Sequence, residues 1–416
     1  MFLRIPILIL LFSAFISFLT PENSSAQSTR QSGHSVHGMV SAAHPLATEV
    51  GVKILEMGGN AADAAVATGF AIAIVEPTMN SIGGRNQILV RTPDGNFQGI
   101  DGTTQAPQRY DPETAPQASY GYDVIGIPGV PAGLLRLHEE FGSMPLDLLM
   151  EPAIRYAEEG FRILPGDAAR QAGARDQLLE FQGSVNAYLK EDLSSYSPGD
   201  LLIQEDYGST LRIIAAGGSD AFYDGVISEI IAADLQAHGS TVDEVALANY
   251  RAEDAKIVRG EYRGYELIGT DIPSAGAMTI HALQIMEHFD PQSMTEAEWF
   301  AIIGQSLGYA LDELGSLGTD SASVRVTSTE WAGKRATLLA TPKNPNNLDS
   351  PMPIPVDETN PPINHTTHFS IADTNGMFVS LTQTLGPTMG SKVVTPGLGF
   401  LYASTLGGYL SDCCYP

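Results

Sequence analysis

Cysteine is nearly absent from this sequence, which contains two in 416 residues, Cys413 and Cys414. The two are adjacent and lie close to the carboxyl end, and neighbouring cysteines can pair with each other only through a strained ring. A framework of disulfides and a thiol-based chemistry are therefore excluded.

Basic residues are also scarce, with 22 Lys and Arg against 48 Asp and Glu and a formal net charge of −26 at pH 7. A surface this negative repels phosphate backbones and anionic lipid headgroups, so we expect no nucleic-acid partner and no basic membrane anchor. Hydrophobic residues make up 43% of the chain. That fraction, at this length, supports a large core and excludes intrinsic disorder.

Long hydrophobic runs are missing except at the amino terminus. Residues 5–19 form an apolar run after Arg4, and Ser24-Ser25-Ala26 has the small-residue pattern that signal peptidases cleave. We predict a secretory signal peptide over residues 1–26, and hence a secreted or periplasmic protein. An uncleaved anchor is the alternative, but the run is short for a membrane-spanning helix and Pro6 lies near its start.

Several common site motifs are missing as well. His138-Glu139 has no second histidine at the spacing of a zinc protease, and no G-x-S-x-G is present. Gly397-Leu398-Gly399 lacks the third glycine of a dinucleotide fingerprint, and Gly333-Lys334-Arg335 lacks the hydroxyl of a phosphate loop. None of these motifs provides a metal or nucleotide site.

Helical and extended patterns alternate along the rest of the chain. The spacing predicts a helix over residues 46–57 and a second one after Asn60 whose face is nearly all alanine. Further predictions are a hairpin of residues 87–91 and 97–101, two helices within 125–164 of which the second opens at Glu151-Pro152, more helices over 171–240, a strand over 261–270 and a helix over 278–289.

A proline-rich connector precedes a second hairpin. Residues 341–362 hold seven of the 26 prolines, and we interpret residues 341–365 as a flexible, extended connector. Residues 366–373 and 377–385 then form two extended runs around Thr374-Asn375-Gly376. If these three residues are the loop and Gly376 is left-handed, the register places Thr384 opposite Thr366.

The chemistry of Thr366 has two interpretations. Threonine is common in strands, and a Thr–Thr cross-strand pair is ordinary sheet packing. If the bond between His365 and Thr366 were cut, however, Thr366 would carry a free α-amino group with a pKa of about 7.7–8.0, able to take the proton from its own Oγ. One residue would then supply both the nucleophile and the base, and Thr384 could hold the hydroxyl in place.

A set of motifs in one order resembles the gamma-glutamyltranspeptidase family. These motifs are Gly38-Met39-Val40-Ser41 with His44-Pro45-Leu46-Ala47, Gly58-Gly59-Asn60-Ala61-Ala62-Asp63, Val75-Glu76-Pro77, Ile82-Gly83-Gly84, Gly129-Val130-Pro131-Ala132-Gly133-Leu134, Glu151-Pro152-Ala153-Ile154, Tyr262-Arg263-Gly264-Tyr265, Thr366-Thr367-His368-Phe369-Ser370 and Val379-Ser380-Leu381-Thr382-Gln383-Thr384-Leu385.

The resemblance implies an α+β fold, the four-layer αββα sandwich of the N-terminal nucleophile hydrolases. It also implies a precursor that cuts itself between His365 and Thr366 into a large subunit (27–365) and a small subunit (366–416). Thr366 would be the nucleophile and Thr384 the supporting hydroxyl. Such enzymes pass the γ-glutamyl group of glutathione or a related compound to water or an amine acceptor, with no metal and no organic cofactor.

Three positions depart from the family pattern. The arginine that binds the substrate carboxylate is replaced by Thr103, an asparagine by Gly386, and the acidic residue that binds the substrate amine by Gly408. A neutral side chain cannot form the bidentate pair that a carboxylate favours. Arg85 or Arg109 could take over this role.

The small-subunit-like region, residues 366–416, has 51 residues and is shorter than the family pattern. We expect the carboxyl-terminal part of the sandwich, including the glycine pair of the oxyanion hole, to be truncated. Three hypotheses follow: a secreted γ-glutamyl hydrolase or transferase, a truncated member that is inactive alone, and a binding protein on an inactive enzyme scaffold.

Overall fold

The structure is a computed structural model that describes residues 34–340 and 364–407. The predicted signal peptide, almost all of the proline-rich connector, Gly408 and both cysteines lie outside these ranges. All of the elements below belong to the unit that begins at His37. None of the helices in the described ranges combines the length and the hydrophobicity that crossing a bilayer requires.

Helices make up most of the described chain. They are α1 (Pro45–Glu56), α2 (Ala61–Val75), α3 (Val130–Phe141), α4 (Leu146–Glu159), α5 (Pro165–Leu178), α6 (Gln182–Tyr188), α7 (Glu205–Tyr223, interrupted at Gly218), α8 (Val226–Ala237), α9 (Glu244–Asn249), α10 (Gly276–Glu287), α11 (Glu296–Asp312), α12 (Asp320–Val326) and α13 (Thr329–Ala340), with short 3-10 turns at Tyr122–Val124, Pro291–Ser293 and Leu314–Ser316.

The strands are β1 (Gly38–Ser41), β2 (Arg85–Arg91), β3 (Phe97–Gly102), β4 (Phe161–Arg162), β5 (Leu201–Leu202), β6 (Glu253–Asp254), β7 (Ile257–Tyr262), β8 (Tyr265–Thr270), β9 (Asn364–Asp373) and β10 (Phe378–Pro387). Six of them form the main antiparallel sheet, in the order β1-β9-β10-β2-β3-β6. The hairpins β4–β5 and β7–β8 are separate.

The alanine-rich helix α2 lies at the centre of the core. Asn60 caps it, because its side-chain oxygen accepts from the backbone N–H groups of Ala62 and Asp63, each at 2.9 Å. The Asp63 carboxylate in turn accepts from the backbone N–H of Asn60. Every residue of α2 is buried. Small side chains let the helix approach β9, β10 and the neighbouring helices α1, α3 and α4 closely.

The two faces of the main sheet have different neighbours. Helices α2 and α3 cover the inner face, which carries Ile88, Val90, Phe369, Ile371, Val379 and Leu381. The outer face carries alternate residues of the same strands, Arg85, Gln87, Leu89, Thr366, His368, Ser370, Ser380, Thr382 and Thr384. Hairpin β7–β8 packs toward this face, and α10 to α13 lie behind the hairpin. The described elements therefore form an α+β fold with helix, sheet, sheet and helix layers.

Two predictions about local structure are wrong. The helix that was expected to open at Glu151-Pro152 begins at Leu146, and Pro152 lies inside it. The buried positions Leu149, Met150, Ala153 and Ile154 continue one apolar face across the proline, so packing outweighs the missing hydrogen bond.

The single strand expected over residues 261–270 is instead a hairpin, β7–β8. Tyr262 pairs with Tyr265, and the turn residues between them, Arg263 and Gly264, have φ of 51° and 78°. Two consecutive left-handed residues are typical of the tight turns that join antiparallel strands. The chain therefore reverses in the middle of the extended pattern.

Candidate active site

The turn at the tip of β9–β10 fixes the register of the site. Asp373 donates its N–H to the carbonyl of Met377 at 3.1 Å, and its carboxylate accepts from the N–H of Asn375 at 2.8 Å. Gly376 has a φ of 81°, in the left-handed region that this loop requires. The loop is therefore the predicted one, and the register puts Thr384 opposite Thr366 as expected.

The two threonines contact each other through their hydroxyls. Thr366 Oγ donates to Thr384 Oγ at 3.1 Å, and the N–H of Gly386 donates to the same Thr384 oxygen at 2.9 Å. Thr366 is exposed, whereas Thr384 is 8% exposed. A buried, backbone-anchored hydroxyl thus orients an exposed one, which is an arrangement suited to holding a nucleophile.

A register irregularity follows this pair directly. Thr384 pairs with Thr366, but the next partners are Gly386 with His365, so Leu385 is the extra residue of a bulge. Gly386 has a φ of 84° and is buried. Its glycine conformation turns its N–H onto Thr384, which gives a physical reason for a glycine here. Strand β9 runs uninterrupted through the bond between His365 and Thr366.

The same register extends across the sheet. Thr384 pairs with Arg85 of β2, and the pairing of β2 with β3 ends at Asn86 and Gly102, just before Thr103. Positions 366, 384 and 85 therefore form one row on the outer face.

The next row of the outer face is also polar. His368 Nδ1 contacts the Thr382 hydroxyl at 2.8 Å, and its Nε2 lies 3.2 Å from the Ser370 hydroxyl and 3.3 Å from that of Ser380. His368 is exposed overall, but partial desolvation of its ring lowers the pKa of the imidazole. The imidazole is thus hydrogen-bonded to three hydroxyls in the row next to the threonines.

A buried polar network lies behind the threonines, on the inner side of the sheet. Gln383 donates to Asn80 Oδ1 at 2.8 Å and to the Gly69 carbonyl at 3.2 Å, and Asn80 donates to the Glu76 carboxylate at 3.4 Å. Burial raises the pKa of Glu76 to about 7, although the nearby Thr367 hydroxyl acts in the opposite direction.

Two clefts open at the outer face of the main sheet. One, of about 740 Å³, is lined by Asp101, Thr103, Glu253 and Thr405 among others. The other, of about 440 Å³, lies between the outer face at His368 and Thr382 and the start of α10. The larger cleft reaches Thr103 and the smaller one reaches the row of His368 and Thr382, so each offers space for a small molecule.

The structure places the other predicted residues as follows. Thr103 lies at the rim of the larger cleft, where its hydroxyl accepts from Gln87 Nε2 at 3.0 Å, so it offers no charge to a ligand. Arg109 has a side chain 74% exposed and lies 3.7 Å from Asp243. Gly408 and the side chain of His365 are outside what is described. Among the described residues, no group of His, Cys, Asp and Glu side chains converges in a way that could hold a metal.

Sequence reasoning missed two buried ionisable groups with shifted pKa values, Glu76 and Lys392. Lys392 is 5% exposed, its Nζ donates to the Gly390 carbonyl at 2.8 Å, and desolvation lowers its pKa to about 8. The available signal was weak: a lone charge next to an apolar run, as in Lys392-Val393-Val394, or directly after one, as at Glu76.

Comparison with known proteins gives one consistent result. A family model described as gamma-glutamyltranspeptidase matches residues 47–412. The glutathione hydrolase proenzyme of Escherichia coli is 31% identical over 382 residues, which is 88% of this chain and 65% of the relative. The acylase ACY 1 proenzyme of Pseudomonas sp. strain SE83 is 32% identical over 397 residues, 88% of this chain and 68% of the relative. The chain thus spans about two thirds of the length of these relatives.

Solved structures agree with the sequence matches. The cephalosporin acylase of Bacillus halodurans superposes with a TM-score of 0.80 and 26% identity, covering 94% of this chain and 73% of the other. The gamma-glutamyltranspeptidase of Helicobacter pylori gives a TM-score of 0.72 and 28% identity, covering 79% of this chain and all of the other.

Proposed function

Because this chain belongs to the gamma-glutamyltranspeptidase family, we propose that it is a γ-glutamyl hydrolase or transferase that acts on glutathione or a related compound through Thr366. The observation that carries the proposal is the pair of hydroxyls, Thr366 and Thr384, 3.1 Å apart on the outer face. Two relatives are named as proenzymes, which supports activation by cleavage of a precursor.

The first step is self-cleavage. Thr366 Oγ attacks the carbonyl carbon of His365, the peptide C–N bond breaks, and the nitrogen of Thr366 takes up the hydroxyl proton, which leaves an ester. Water then hydrolyses the ester, giving the carboxylate of His365 and a free α-amino group on Thr366. Thr384 accepts a hydrogen bond from the attacking hydroxyl and so fixes its direction.

The second step is acyl transfer. The free amine of Thr366 removes the proton from Oγ, the oxygen attacks the γ-glutamyl carbonyl, and the departing amine receives the proton. Water or an amine acceptor then takes the acyl group from the threonyl ester. Because the amine must be unprotonated, we expect turnover to rise with pH through about 8 and then to level off.

The test compares the wild type, Thr366→Ala and the outer-face control Ser370→Ala. We expect the wild type and the control to yield two chains, with Thr366 as the new amino terminus, and to hydrolyse γ-glutamyl 4-nitroanilide. Thr366→Ala should remain one chain and be inactive. An uncut, well-folded wild type, or hydrolysis by Thr366→Ala, would refute the proposal.

A second candidate function is binding of γ-glutamyl compounds without turnover. The neutral Thr103 at the cleft rim favours it, because an altered pocket is compatible with a scaffold that has lost catalysis. In that case glutathione would raise the melting temperature while no product forms. We also propose export, with a mature chain that begins at Gln27, which mass measurement of the exported protein would test.

A further inference from the structure

We propose that Asn80 is a positioning residue that holds Thr366 and Thr384 in place from the opposite face of the main sheet. The inference rests on the proposed function, because it concerns the same two hydroxyls. Asn80 belongs to the segment 76–80, which follows α2, and it acts through Gln383, the residue before Thr384 in β10.

Gln383 is a buried polar residue on a largely hydrophobic face. Val379 and Leu381 precede it on the inner side of β10, and Gln383 itself is 0% exposed. Burying an amide costs free energy unless hydrogen bonds compensate for it. Gln383 Nε2 donates to Asn80 Oδ1 at 2.8 Å and to the Gly69 carbonyl at 3.2 Å. These bonds fix the direction of the side chain, which a hydrophobic contact does not do because it is non-directional.

The 76–80 segment also contacts the bulge that orients Thr384. Leu385, the extra residue of the bulge, donates its N–H to the Met79 carbonyl at 3.2 Å. The next N–H along the chain, that of Gly386, donates to the Thr384 hydroxyl at 2.9 Å. The segment therefore bonds to β10 immediately before and immediately after Thr384, once through a side chain and once through the backbone.

The segment is itself held at two points. The N–H of Asn80 donates to the Glu76 carbonyl at 3.3 Å, and its side chain donates to the Glu76 carboxylate at 3.4 Å. The Thr78 hydroxyl donates to the carboxylate of Asp167 in α5 and accepts from Arg170 Nε at 2.8 Å. Asn80 is therefore a fixed point against which the end of β10 is held.

The experiment compares the wild type with Asn80→Ala and Asn80→Ala/Gln383→Leu. The single change leaves a buried amide without its shortest hydrogen bond, so it lowers stability as well as loosening β10. We expect it to reduce the self-cleavage rate and kcat about tenfold and to change KM less than about twofold, because a misplaced nucleophile slows the chemical step. The double variant also removes the unpaired amide, so its urea midpoint should return close to that of the wild type while kcat stays about tenfold low.

Gln284→Leu is the matched control. Gln284 is also a buried glutamine, 2% exposed, but it lies in α10, behind the hairpin β7–β8. Its replacement should leave kcat and the self-cleavage rate as in the wild type. The proposal is wrong if Asn80→Ala is as fast as the wild type. It is also wrong if the double variant recovers kcat together with stability, because Asn80 would then serve folding alone.

A measurement without turnover separates this failure from failure of the proposed function. Amide hydrogen exchange of the uncut Thr366→Ala chain reports on the N–H groups of Leu385 and Gly386. Adding the double change should speed their exchange about tenfold, because the bulge opens more often, and adding the control change should not. Equal exchange in all three proteins would reject the role of Asn80 whether or not the wild type is active. Faster exchange in a protein whose wild type is inactive would refute the proposed function alone.

Discussion

The inner and outer faces of strands β9 and β10 are built from alternate residues of the same two segments, yet they differ in composition. The inner face carries Phe369, Ile371, Val379 and Leu381, each 0–1% exposed, against the alanine-rich helix α2. The outer face carries hydroxyls and one imidazole that contact one another. The difference shows that one face specifies the fold, while the other is available for chemistry.

The largest effect on folding should come from the inner face. Leu381→Ala removes a fully buried side chain and leaves a cavity, so we expect the free energy of unfolding to fall by about 2–5 kcal/mol. Ser380→Ala, the adjacent residue on the outer face, should change it by less than about 0.5 kcal/mol. Urea unfolding of both variants measures the contrast, and similar losses would show that the two faces are not distinct.

The carboxyl behind the inner face should give a pH-dependent effect. Glu76 has an ordinary pKa of 4.5 and a folded-state pKa of about 7, so the folded protein keeps this proton up to a higher pH than the unfolded chain does. Stability of the wild type therefore falls as pH rises from about 4.5 to 7, by up to about 3 kcal/mol from this group. Glu76→Gln should lack this slope. The measurement is unfolding of both proteins at pH 5 and pH 8. The prediction is wrong if the free energy of unfolding changes by the same amount between these pH values in the wild type and in Glu76→Gln.

The supporting hydroxyl of the outer face should affect turnover more than folding. Thr384→Ala removes the acceptor that orients Thr366 Oγ, and misplacement of a nucleophile by about 1 Å costs about a hundredfold in rate. We expect a loss of this size in kcat, with Thr384→Ser restoring most of it. If Thr384→Ser were as slow as Thr384→Ala, the methyl group rather than the hydroxyl would be responsible.

The smallest effect should come from His368. Its folded-state pKa lies below the ordinary value of 6.5, so the unfolded chain takes up a proton first as pH falls, and stability is lost as pH falls through and below 6.5. His368→Gln should cost less than about 1 kcal/mol at pH 7.5 and should remove this slope. A variant that kept the wild-type pH profile would exclude His368 as the titrating group.

The parts of the site that depend on local sequence were predictable. The loop Thr374-Asn375-Gly376 determines which residues of β9 and β10 face each other, so the contact between Thr366 and Thr384 follows from a count of residues. Likewise, Asn60 and the alanines after it define α2, because capping and side-chain size act within one helix. The family motifs supplied the rest of the fold class.

The parts that depend on distant pairing were not predictable. The position of Arg85 beside Thr384 requires β2 to pair with β10, nearly three hundred residues later in the chain, and no local pattern determines that neighbour. The turn at Arg263-Gly264 was missed because an arginine at positive φ gives no signal in composition. The start of the helix at Pro152 was predicted wrongly for the opposite reason. The local preference of proline for the first turn of a helix is strong, but tertiary packing outweighs it here.

The central claim is that Thr366 Oγ carries the acyl group. Its most direct test is to mix the processed enzyme with γ-glutamyl 4-nitroanilide, quench in acid within the first turnover, and locate the added mass by peptide mapping. We expect a γ-glutamyl ester on the peptide that begins at Thr366. An adduct on any other residue, or turnover without an adduct on Thr366, would contradict it.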